Sequence, residues 1–124
     1  MRDIGIFTSK VVSTGDLLEF MGAYAARVGE HFERRTDESI IGDFPDVLYV
    51  SNDTAATNGY FSEDERKKIS ASLGVEPEGY ISIHFKTDAA FARADAIAHE
   101  MGRLWQGMID YSGSGGDLNV PPVT

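Results

Sequence analysis

The chain has 124 residues and a formal net charge of −9, with ordinary apolar and charged fractions of 42% and 25%. That length suits one hydrophobic core rather than two. It contains no cysteine, which excludes disulfides, thiolate metal sites and thiol nucleophiles.

Asp3 to Thr8 predicts a first strand, with Ile4 and Ile6 on one face and Gly5 and Phe7 on the other. Ser13, followed by Asp16, resembles a capping box. It opens a predicted helix to about Arg35, whose stripe is Leu17, Leu18, Met21, Tyr24, Ala25, Val28 and Phe32. Residues 36–46 read as irregular and acidic, with a short strand allowed at Ser39 to Ile41. Val47 to Val50 reads as a short buried strand, and Ser51 to Gly59 as loop. Ser62 with Glu65 forms a second capping box, opening a short helix through Ile69 and Leu73 to Gly74.

Tyr80 to Phe85 alternates as a strand buried on one face. Thr87 or Asp88 can cap the helix that follows, with Ala90, Ala94, Ile97, Ala98, Met101, Leu104 and Trp105 as its stripe. Gly107 is placed for a left-handed cap, and Met108 to Tyr111 for a last strand. This order predicts an α+β domain over residues 1–112 with a flexible tail at 113–124. The expected topology is split-βαβ (ferredoxin-like): a four-stranded, mainly antiparallel sheet, two long helices on one face and a short inserted helix. The other face is expected to be open and to carry Phe7, Tyr80, Ser82, His84 and Asp110. A binding partner, the tail or a second copy in a homodimer would cover it.

The charge is unevenly placed. Asp37, Glu38, Asp43, Asp46, Asp53, Glu63, Asp64 and Glu65 occur in one stretch without a single Lys or Arg. The rest of the chain is nearly balanced. A direct nucleic-acid binder needs a basic stripe for the phosphates, and none is visible. A basic protein partner fits this field, with solubility as the plainer role of the same charges. No apolar run is long enough to span a membrane and no secretory leader is read at the start, so the expected location is the cytoplasm.

His99-Glu100 begins like a helical zinc motif, but the second histidine position is Arg103. His31, His84 and His99 lack ligand spacing, so neither metal nor cofactor is expected. Glu100 and Arg103 read as an ion pair on one helix face. His84 and Asp110 can meet on the sheet as an acid–base pair, although a surface role for Asp110 is the simpler reading. Trp105 continues the helix stripe and reads as core.

The acidic capped helix from Ser62 to Pro77, the strand Tyr80 to Phe85 and the helix Ala94 to Gly107 are followed by Met-Ile-Asp-Tyr-Ser-Gly. This succession, over residues 60 to 113, resembles the small bacterial immunity proteins that accompany polymorphic or contact-delivered toxins. Asp110 and Gly113 are its sharpest points. The resemblance implies a cytoplasmic protein that binds one cognate toxin and blocks its active site, with no catalytic residues of its own. The surface expected to meet the toxin comprises Asp37, Glu38, Asp43, Asp46, Asp53, Tyr60, Phe61, Glu63 and Asp64. Two alternatives remain: an acidic mimic of nucleic acid that inhibits a nuclease or defence protein, and a small α/β enzyme using His84 and Asp110.

Overall fold

A computed structural model describes residues 2–34, 42–44, 48–54 and 63–111. For Arg34, for residues 42–44 and for residues 48–54 apart from Val50, the description is of the backbone. The elements in chain order are β1 (Arg2–Thr8), α1 (Thr14–Val28), β2 (Glu33–Arg34), β3 (Gly42–Phe44), β4 (Leu48–Thr54), α2 (Glu63–Leu73), β5 (Gly79–Phe85), α3 (Asp88–Trp105) and β6 (Met108–Asp110). The fold is mixed α/β, and the strands form one sheet in the order β2-β3-β4-β5-β1-β6 with every neighbouring pair antiparallel.

The alternation along β1 and β5 explains how the sheet divides into two faces. Ile4 and Ile6 pair with Ile83 and Ile81, and Ile6 pairs on its other side with Ile109. These residues, with Val50 and Phe85, form one apolar cluster with Leu17, Met21, Tyr24 and Ala25 of α1 and Ala90, Ala94, Ile97, Ala98 and Met101 of α3. Both long helices therefore bury their stripes in the same core. Phe7, Tyr80 and Met108 form a second, smaller cluster with Ile69, against which Leu73 also packs. The short helix α2 covers that part of the sheet's other face.

Helix starts follow their capping chemistry. Ser13 Oγ accepts from the Asp16 amide at 3.1 Å, and Thr87 Oγ1 accepts from the Ala90 amide at 3.2 Å. Each satisfies an amide that the first turn leaves without a partner. Helix ends depart from expectation in two places. α1 stops at Val28 rather than near Arg35, because Gly29 turns left-handed at φ 72° and its N–H closes onto the Ala25 carbonyl. At the end of α3 the left-handed residue is Gln106 (φ 51°), not Gly107.

Among the described residues the sheet has six strands, where four were expected. The additions, β2 and β3, are short and extend the edge beyond β4. The segment after Gly29 thus enters the sheet at Glu33, although Phe32 still packs against the main core. Leu104 was expected in the buried stripe of α3 and is instead 59% exposed. The possible strand at 39–41, the capping residue Ser62 and the tail at 113–124 lie outside the described residues.

Candidate functional site

The second face of the sheet collects the chain's polar strand residues. Asp3 pairs with His84, Gly5 with Ser82 on one side and Asp110 on the other, and Phe7 with Tyr80 and Met108. Directly paired residues share a face, so three rows cross this side of the sheet. The apolar row carries α2. Phe7 and Tyr80 lie with ring centroids 4.7 Å apart, above Ile69 and Met108.

The middle row is polar and largely enclosed. Asp110 is 1% exposed, and Ser82 and Tyr80 are buried. The Tyr80 ring reaches back across the row, so that a Cβ at Gly5 would lie 2.1 Å from its hydroxyl oxygen. Only a residue without a side chain lets the ring take that path. The Tyr80 hydroxyl donates to Asp110 Oδ2 at 3.4 Å, and Ser82 Oγ donates to Asp3 Oδ2 at 2.8 Å. Burial pushes the Tyr80 hydroxyl far above the usual tyrosine range, and the charges of Asp110 and Asp3 add to the rise. Tyr80 is therefore a neutral hydroxyl that donates to the buried Asp110.

The face expected to be open is thus covered at Phe7, Tyr80, Ser82 and Asp110. His84 is the half-buried exception. Burial lowers its pKa, partly opposed by Asp3 and reinforced by the charge of the N-terminus. The register sets Asp3, not Asp110, across from His84. Asp110 lies two strands away and two pairs along. Sequence reasoning missed Asp3, although its alternation with Gly5 and Phe7 already put it on this side; the pairing that brings it to His84 depends on register.

The chain matches no protein-family model, no curated protein and no solved structure.

The residues expected to meet a partner fall into three groups. Asp43 lies on β3 and Asp53 on β4. Glu63 and Asp64 occupy the first turn of α2 and are exposed. Asp37, Glu38, Asp46, Tyr60 and Phe61 lie outside the described residues. The β3 and β4 registers add a feature that the sequence does not display. One line of paired positions runs across five of the strands, from β2 to β1, through Glu33, Asp43, Tyr49, His84 and Asp3. Three of its five residues are acids contributed by distant parts of the chain.

Three expectations about chemistry can be placed. Among the described residues, no group of three or more potential ligands is arranged to hold a metal ion. No described helix is long and apolar enough to cross a membrane. Glu100 does not pair with Arg103 on its own helix. Its carboxylate takes Arg27 Nη2 of α1, at 2.6 Å from each oxygen.

Proposed function

We propose that this chain is an immunity-type protein, a cytoplasmic stoichiometric inhibitor that binds a cognate basic toxin and occludes its active site. The observation that carries this reading is the acidic line Glu33, Asp43 and Asp3, set in register across the sheet beside Tyr49 and His84. It joins the acid-only stretch of the sequence to carboxylates outside it. Glu63 and Asp64 add exposed negative charge on α2. Eight acids within one stretch, with no Lys or Arg between them in the sequence, repel one another, a cost that a basic partner relieves. Such a field raises the rate of encounter and selects against acidic partners.

The proposal extends to the topology. We read β4-β5-β1-β6, with α1 following β1 and α3 following β5, as a split-βαβ, ferredoxin-like unit. In this reading β2 and β3 are an added edge that widens the acidic surface, and α2 is the inserted helix.

The test is kinetic. Asp43→Asn, Asp46→Asn and Asp53→Asn are combined, folding is confirmed, and association with the proposed cognate toxin is measured at low and high salt. Slower association at low salt, converging with wild type at high salt, is the expected result. Association equal to wild type at both salt concentrations rejects the acidic surface as the docking site.

A further inference from the structure

On the opposite side of the molecule, α1 and α3 border a groove of about 680 Å³ lined by Tyr24, Arg27, Val28, Ala96, His99 and Arg103, with Asp95 and Glu100 in its wall. The groove is open to solvent along its length. Asp95, His99 and Arg103 follow one another at four-residue spacing, so they stand in a line along one face of α3. Both acids are already engaged. Glu100 holds Arg27 Nη2, and Asp95 accepts from the Tyr111 hydroxyl. His99 Nδ1 lies 2.9 Å from the Asp95 carbonyl oxygen and 3.3 Å from its carboxylate. Both neighbours accept, so Nδ1 carries the proton and the ring is held with Nε2 turned away from Asp95.

The unused donors are cationic. Arg27 commits one nitrogen to Glu100, while its guanidinium lies over the Tyr24 ring at 5.4 Å from the centroid. Its Nη1 and Nε groups remain without partners among the described residues. Arg103 is exposed and has no ion-pair or hydrogen-bond partner among them. Val28 and Ala96 add apolar lining to the same groove.

We infer that this groove is a binding site for a small organic phosphate monoester with a short apolar or aromatic body. Arg27 and Arg103 would hold the phosphate oxygens from the two helices, each with charge-assisted hydrogen bonds. The phosphate group carries between one and two negative charges near neutrality. His99 Nε2, turned away from Asp95, would face a phosphate oxygen. The organic body would lie over Val28, Ala96 and the edge of Tyr24. This site shares no residue with the acidic surface, so either proposal can fail alone.

The test uses the full chain and phenyl phosphate, followed by amide chemical shifts, with phenol as the uncharged control. Saturable shifts confined to residues 24–28 and 95–103, absent with phenol, are expected. Arg103→Ala removes an exposed side chain without a partner and should weaken binding by about tenfold or more. Ala96→Glu adds a carboxylate at an exposed position of the lining and should abolish binding while leaving the fold intact. Equal shifts with phenol overturn the proposal, as does wild-type affinity in either variant.

Discussion

A carboxylate removed from water has to be solvated by the protein, and Asp110 shows how closely single residues are arranged to do this. Its donor, the Tyr80 hydroxyl, reaches it only because the ring can lie over Gly5. Adding one methyl group at position 5 would put a carbon inside the contact distance of three Tyr80 atoms, the farthest of them at 2.6 Å. The ring must then leave its place, and Asp110 loses a donor. Gly5→Ala should therefore destabilise the fold by about 1–3 kcal/mol, combining overpacking with the loss of the Tyr80–Asp110 hydrogen bond. Urea denaturation would measure the loss. In a Tyr80→Leu background the same substitution should cost clearly less, because the obstructing ring is absent. Additive costs would mean that Gly5 is required for some other reason.

At the scale of elements, α2 contributes a single buried side chain, Ile69, to the apolar row of Phe7, Tyr80 and Met108. Ile69→Ala should cost about 2–5 kcal/mol and release α2 from the sheet, seen as faster amide exchange over residues 63–73. By contrast the Arg27–Glu100 pair, with Arg27 60% exposed, should contribute under about 1 kcal/mol. What the sequence made legible follows the same physical division. The strands β1 and β5 and the helices α1 and α3 each repeat an apolar period over enough residues to declare a buried face, and β6 was legible from its place after α3. β2 and β3, at two and three residues, are too short to carry a period. α2 was legible as a helix, but one buried residue cannot say which surface it will cover. The continuation of α1 through Phe32 to Arg35 was plausible from spacing and charge, until the left-handed turn at Gly29 diverted the chain into the sheet. The candidate sites were harder to read because they depend on register. Asp3 beside His84, Glu33 beside Asp43 and Arg27 beside Glu100 each join residues from separate elements. The Asp95–His99–Arg103 line alone was written into the local spacing.

For the whole molecule, three tyrosines tie stability to alkaline pH. Burial raises the pKa of Tyr80, Tyr111 and Tyr24; Asp110 adds to the rise at Tyr80, Asp95 at Tyr111, and Glu100 and Glu30 at Tyr24. Each binds its proton more tightly folded than unfolded, so their contribution is complete below about pH 10 and is lost as pH rises through the folded values. The melting temperature should fall steadily above about pH 10. Replacing Tyr111 with Phe should shallow that fall, as differential scanning calorimetry at successive pH values would show. His84 acts in the opposite direction. Its lowered pKa favours the neutral ring, so its contribution is present above about pH 6.5 and is lost on acidification.

The position of β1 in the sheet has a consequence for how the protein is made. Of the described strands it is translated first, yet both of its neighbours, β5 and β6, are translated much later. Until then its apolar face, Ile4 and Ile6, has no strand on either side to complete the core layer. The pairings that enclose it close loops spanning most of the chain, and that entropy must be met before the core compensates it. A nascent chain stalled before Gly79 should therefore present an unpaired hydrophobic strand, the form that chaperones capture and that seeds aggregation. Synthesis of the last third of the chain, rather than formation of any early helix, then sets the moment at which this protein becomes folded.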